Sequence, residues 1–165
     1  MKIMKTSLPA DSLLWQQLPA IHYKDAYTGP LPHPTNLLAI TQAFVFSAPR
    51  WVEHLLHFRD AIVKWFGLKT DKQGTARLTL TPGEQAGIFT VITKNDHELI
   101  MGTDDKHLDF RVSLYLRQHA LVCSTIVYFN NRWGRFYFFF VKPFHRLIVP
   151  VMVKSALMHL KASEN

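Results

Sequence analysis

The densest run of ionisable side chains in this 165-residue chain is Gly102-Thr103-Asp104-Asp105-Lys106-His107-Leu108-Asp109-Phe110-Arg111. Side chains alternate along a strand. Leu108, Phe110, Val112, Leu114 and Leu116 therefore take one face, and His107, Asp109, Arg111, Ser113 and Tyr115 the other. Neighbours on one face stand roughly 7 Å apart, so Asp109 reaches His107 or Arg111. A carboxylate raises the pKa of an adjacent histidine, and an arginine lowers the carboxylate's own. Such a trio can move a proton or hold an anion, with Asp104 and Asp105 at the strand's entrance. The same alternation also describes the water-facing charge ladder of an ordinary strand. Asp109 is predicted to pair chiefly with Arg111.

A second candidate is Pro143-Phe144-His145-Arg146. Pro143 suits the first turn of a helix, and Pro150 lies inside that helix, so the Arg146 carbonyl loses its helical donor. A free carbonyl beside His145 and Arg146 is either a polar anchor or a kink satisfied by water. His107, Asp109, His145 and Glu98 lack the short-spaced pairs of a metal site, so no metal is expected. No phosphate loop, dinucleotide fingerprint or nucleophile motif is present, so no cofactor is expected either. Cys123 lies in an apolar run and reads as an inert core thiol.

The elements that must position these residues follow in order. Pro9–Pro19 allows a short helical turn after Asp11 or Ser12, and residues 1–20 are otherwise expected to be poorly structured. His22–Thr28 reads as a strand with Tyr23, Asp25 and Tyr27 on one face. Gly29–Pro34 is a proline-rich loop. Thr35 can cap a helix over Asn36–Phe46. Arg50–Phe66 is the clearest amphipathic helix, with apolar residues at three- and four-residue spacing and Gly67 as its stop. Lys69–Gly87 reads mostly as loop. Strands are predicted at Ile88–Thr93, Glu98–Thr103, His107–Arg117 and Ala120–Phe129, and their short turns make them an antiparallel meander.

Asn131–Lys161 is apolar almost all round and long enough for one kinked helix or two consecutive ones. A span needs about 20 nearly uncharged residues, and Lys142, His145 and Arg146 interrupt this one. A buried core helix is expected instead, wrapped by the sheet. Leu147, Ile148, Val151, Met152 and Leu157 are predicted to face the sheet, and Lys154, His159 and Lys161 to reach water. The fold class is α+β, a curved antiparallel sheet gripping a long C-terminal helix, in a single domain over 1–165.

Bulk composition narrows the partners. Twelve Phe, four Trp and five Tyr indicate an aromatic-rich core or cavity. The net charge is +7, and Phe110–Ser163 holds eight Lys or Arg and no Asp or Glu. These cations are spaced singly, not clustered like a nucleic-acid arm, so no nucleic-acid partner is expected. They suit an anionic ligand head or a weak contact with an anionic membrane surface. A single cysteine and a start without an apolar leader point to the cytoplasm.

G-x-D-D-x-H-L-D-F-R at Gly102–Arg111, G-R-x-Y at Gly134–Tyr137 and P-F-H-R-x-I-V-P at Pro143–Pro150 resemble an uncharacterised bacterial family known only as a domain of unknown function. That family is similar to the START-like, or Bet v 1-like, helix-grip superfamily. The resemblance implies an apolar cavity between sheet and C-terminal helix that takes lipids, polyketides or other hydrophobic molecules. It carries no catalytic residue over. The leading expectation is a binding module for a hydrophobic or amphipathic small molecule, with His107, Asp109, Arg111, Tyr115, His145, Arg146 and Asp105 as candidate ligand contacts. The alternatives are a cyclase- or hydrolase-type enzyme using the His107–Asp109–Arg111 cluster, and a peripheral membrane-surface protein. The Pro143 interruption departs from the superfamily's unbroken grip helix.

Overall fold

A computed structural model describes residues 1–54 and 78–163. Seven strands form one antiparallel sheet: β1 (Met4–Thr6), β2 (Tyr23–Pro30), β3 (Gln85–Ala86), β4 (Phe89–Lys94), β5 (Glu98–Asp104), β6 (Leu108–Arg117) and β7 (Ala120–Phe129). Their order across the sheet is β1-β2-β7-β6-β5-β4-β3. The four-strand meander expected from the short turns is present, and β2 joins it along β7 from Tyr23↔Val127 to Pro30↔Ala120. A register shift between Val91 and Thr93 bends the β4–β5 pair.

Helix α1 (Leu37–Phe46) and helix α2 (Arg132–Ala162) both lie on one face of the sheet. Asn36, not Thr35, caps α1, its side-chain oxygen accepting from the Ala39 amide at 2.9 Å. Residues 50–54 are helical and bring Val52 into the core. The rest of the amphipathic segment expected at Arg50–Phe66 lies outside the described residues, as does most of the loop at Lys69–Gly87.

Two expectations need correction. The N-terminal 20 residues are not loose. Met4–Thr6 pairs with β2, and a 3₁₀ turn at Leu13–Gln16, capped by Ser12, buries Leu14 against Ile100 and Ile126. This segment covers the sheet face opposite the helices, so both faces of the central strands are dry.

Nor is α2 buried along most of its length. It is one continuous 31-residue helix through both prolines. Pro143 and Pro150 remove the donors for the carbonyls of Phe139 and Arg146. Both residues are exposed, so the two missing bonds fall on the surface side of the helix. With no break, a single 3.6-residue period sets the buried stripe. That stripe is Val149, Met152, Val153, Ala156, Leu157 and Leu160. Met152 and Leu157 face the core as expected, Ile148 and Val151 are half-buried, and Leu147 points to solvent. Lys154, His159 and Lys161 are exposed, as read from the sequence. Ahead of Val149 only Gly134 and Phe138 are buried on α2, so the helix is core behind and surface in front.

Candidate functional site

The Gly102–Arg111 run does not assemble a proton-transfer trio. Arg111 pairs with Asp104, not Asp109, with its Nη1 2.7 Å from the Asp104 carboxylate. The Arg111 Nη1 also donates to its neighbour's carbonyl, Phe110 O, at 3.0 Å. Gly102 stands opposite Arg111 across β5 and β6. A Cβ there would strike the Phe110 carbonyl and the arginine stem, so glycine is required.

Asp109 instead builds a turn. Its Oδ1 accepts from the Asp105 amide and from the Asn130 side chain, both at 3.0 Å. Asn130 also donates to the Asp105 carbonyl at 2.6 Å. Asn131 donates to the Lys106 carbonyl at 3.1 Å and lies 3.0 Å from His107 Nδ1. The same Asn131 caps α2, accepting from the Gly134 amide at 3.1 Å. Gly134 packs so close to the His107 carbonyl that any Cβ would collide with it. The motif is thus a clasp tying the β5–β6 turn to the start of α2. Asp105, His107 and Asp109 are used up in aiming the helix.

Arg111 and Tyr115 lie on the face away from the helices, which the N-terminal segment covers. Tyr115 donates to Asp11 at 2.7 Å. That bond raises the tyrosine's pKa and lowers the aspartate's. Beside it Glu98 is fully buried. Its Oε1 accepts from Ser12 and Ser113, each at 2.5 Å, and its Oε2 accepts from the Leu13 amide at 2.7 Å. These bonds anchor the N-terminal turn to the sheet.

The helix face holds a different polar group. Tyr23, Asp25 and Tyr27 share it, as the alternation of the strand predicts, and Thr125 of β7 stands opposite Asp25. Asp25 and Thr125 are both buried. The Tyr23 hydroxyl donates to Asp25 Oδ2 at 2.6 Å. His145 Nε2 reaches down from α2 to 3.3 Å from each Asp25 oxygen. Burial, then the bond to Asp25, pushes the Tyr23 hydroxyl's pKa well above its ordinary value. The Arg146 guanidinium interacts with that hydroxyl and is itself raised, and Lys142 sits 5.4 Å over the Tyr23 ring. Thr125 Oγ1 has no hydrogen-bond partner among the described residues.

This polar belt divides two apolar clusters. One joins Leu108, Val127 and Phe138 with the half-buried Tyr23 and Phe129. The other is the main core, where Cys123 lies fully buried with its thiol pushed up by desolvation. The belt thus sits where α2 passes from core to surface.

Of the sequence candidates, His145 and Arg146 therefore meet at one place, while His107, Asp105, Asp109, Arg111 and Tyr115 do not join them. The partners missed were Tyr23, Asp25 and Thr125. An aspartate at the centre of a strand face otherwise made of tyrosines was their signal. Among the described residues no three His, Cys, Asp or Glu side chains gather as a metal site.

Comparison with curated proteins and with solved structures found no match. A family model does match residues 17–152, a stretch that takes in β2, the whole meander, the clasp and the Asp25–His145 belt, and the chain belongs to that family, described as "Protein of unknown function (DUF2867)".

Proposed function

We propose that the protein binds an amphipathic small molecule between the sheet and α2. The polar head lies at Asp25, Thr125, His145 and Arg146, and the apolar body lies along Tyr23, Phe129 and Phe138. The observation that supports this reading most directly is the Asp25–Thr125 pair. A buried carboxyl and a buried hydroxyl interrupt an apolar sheet face, and the hydroxyl lacks a partner. Burying such groups costs free energy that an apolar pair would not. Small-molecule sites characteristically combine an apolar wall with a few convergent polar groups. Tyr23 and Phe138 pack at a tilt with ring centroids 4.8 Å apart, and Phe129 and Phe138 likewise at 5.5 Å, giving that wall. Arg146 offers a cation and Asp25 an acceptor, a combination suited to a head carrying carboxyl and hydroxyl groups.

The sheet-and-helix layout is compatible with the START-like superfamily, and we read the chain as one of its members. Fold likeness does not itself assign a function, and the polar belt carries the reading.

The test uses the full-length protein and an environment-sensitive apolar dye. Saturable dye binding is expected, with displacement by fatty acids stronger than by alkanes of equal length. Asp25→Asn should weaken displacement by a fatty alcohol, whose hydroxyl can donate to the carboxylate, about tenfold, the cost of losing one charged hydrogen bond, at a loss of stability of only about 1 kcal/mol. A cooperatively folded protein that binds no dye saturably and carries no small molecule in native mass spectrometry would overturn the proposal.

A further inference from the structure

The front of α2 carries an exposed aromatic ridge. Trp133, Phe136, Phe140, Phe144 and Leu147 recur at intervals of three, four, four and three residues, which places them on one stripe of a helix. They lie across the helix from Gly134 and Phe138, which meet the sheet. Each is between 48 and 60 % exposed, and Phe139 beside them 72 %. They form a continuous surface. Trp133 packs edge-on to Phe136 at 6.4 Å, Phe136 to Phe140 at 5.1 Å and Phe140 to Phe139 at 5.4 Å. Isolated exposed apolar residues are ordinary, but a contiguous aromatic ridge marks an interaction surface.

Charge identifies the occupant. Arg132 and Arg135 stand at the start of the ridge beside Phe136 and Phe139, and α2 carries six Lys or Arg and no Asp or Glu over its whole length. The N-terminal end of the helix adds its own positive potential. An open groove of about 760 Å³ lies at that end, lined by Arg132, Arg135, Phe136 and Phe139 among others. A second copy seated on the ridge would bring like charges together, which is unfavourable. The helix is long and apolar enough to cross a bilayer, but Val149–Leu160 is built into the core, and residues 132–147 alone fall short of the about 20 residues a span needs.

We propose that residues 132–147 dock flat on an anionic lipid bilayer, with the aromatic stripe in the acyl–headgroup boundary and the arginines on the lipid phosphates. Aromatic residues with Lys and Arg beside them are the chemistry of an interfacial helix. The proposal rests on the exposed side of α2 and is independent of the ligand reading, which rests on its buried side.

The experiment is co-sedimentation of the full-length chain with vesicles of phosphatidylcholine alone or mixed with phosphatidylserine. Binding is expected to the mixed vesicles only, and to weaken with added salt. Arg132→Gln with Arg135→Gln should reduce partitioning about fivefold per charge removed. Phe136→Ser with Phe140→Ser should reduce it at least about tenfold. All four side chains are exposed, and an unchanged melt verifies the fold of each variant. The dye assay without vesicles should be unaffected by the phenylalanine pair. Wild-type protein that stays in the supernatant with both vesicle types overturns the proposal. So does equal binding to neutral vesicles, or a solution dimer that the Phe136→Ser/Phe140→Ser variant dissolves, which would assign the ridge to a second copy.

Discussion

Two carboxyl groups are buried in this sheet, one on each face, and they are satisfied in opposite ways. Glu98 receives three donors, two serine hydroxyls and a backbone amide, and every one comes from protein that would otherwise be loose or unpaired. Asp25 receives Tyr23 and His145, while its cross-strand neighbour Thr125 has a hydroxyl without a partner among the described residues. A saturated network specifies one arrangement of the chain. An unsaturated one has capacity left for another molecule. Among the described residues, unpartnered buried hydroxyls stand on both faces, Thr125 opposite Asp25 and Ser124 opposite Ser113, so the difference lies in the carboxyls themselves: Glu98 is filled by three short bonds, whereas Asp25 holds one short bond and a longer histidine contact.

The largest expected effect breaks the saturated side. Glu98→Ala removes the acceptor of the Ser12 and Ser113 hydroxyls and of the Leu13 amide, although the Ser12 oxygen still accepts from the Leu14 amide, at about 1–3 kcal/mol per unsatisfied group. With partial relaxation the total should reach about 3–5 kcal/mol, a large share of the ~5–15 kcal/mol that holds a domain together. The urea midpoint measures it. A loss under about 1 kcal/mol would mean that the N-terminal turn is not anchored through Glu98.

Asp25→Asn should cost much less stability, about 1 kcal/mol, because the amide oxygen still accepts from Tyr23 and the His145 contact is a long one, 3.3 Å. Its main effect belongs on ligand binding. Equal losses of stability for Asp25→Asn and Glu98→Ala would erase the distinction between the two faces.

Hydrophobic period and turn chemistry were enough to read the meander, the α1 segment and the long C-terminal helix, because these depend on local pattern. Ala120–Phe129 was predicted to the residue, since Gln118-His119 and Asn130-Asn131 bracket it. The short pairings at Met4–Thr6 and Gln85–Ala86 were not legible, because strands of three and two residues have no period. The burial of α2 was misjudged for a related reason. An all-round apolar helix normally is enclosed, and nothing in the local sequence says that the front of this helix meets the sheet along one side only, burying just Gly134 and Phe138 ahead of Val149. The polar trio failed differently. Its alternation was read correctly, but the side it pointed to was decided by the N-terminal segment, some 90 residues away, and by Asn130 and Asn131. The Asp25–His145 contact joins residues 120 apart and has no local signature beyond an acid among tyrosines.

A smaller effect of opposite sign sharpens the comparison at Thr125. Replacing an unpartnered buried hydroxyl by a methyl removes a desolvation cost at nearly constant shape. Thr125→Val should therefore stabilise the ligand-free protein by up to about 1 kcal/mol, while Ser113→Ala, which removes a donor to Glu98, should destabilise by about 1–2 kcal/mol. A destabilising Thr125→Val, seen as a lowered melting temperature, would show that the hydroxyl has a partner in solution.

The subtlest difference lies in pH dependence, because each face carries one Tyr–Asp pair. Tyr23 is raised first by burial and then by its bond to Asp25. Tyr115 is raised first by its bond to Asp11, whose own pKa is lowered by the same bond. A raised tyrosine contributes stability that is complete below its ordinary value of 10.0 and is lost as pH climbs toward the folded-state value. A lowered aspartate contributes stability present above its ordinary value of 3.8 and lost as pH falls through the folded-state value. Tyr23→Phe should therefore flatten the decline of the urea midpoint above pH 10, because phenylalanine has no proton to lose there. Tyr115→Phe should flatten the alkaline limb less and also flatten the acid limb below 3.8, since Asp11 no longer gains from the hydroxyl. The Asp11 contribution is small because that carboxyl is solvent-exposed and screened. Urea midpoints for the three proteins across both limbs distinguish the pairs. If wild type and Tyr23→Phe fall in parallel above pH 10, the Tyr23 hydroxyl is not held beside Asp25 under the helix, and the polar belt loses its first donor.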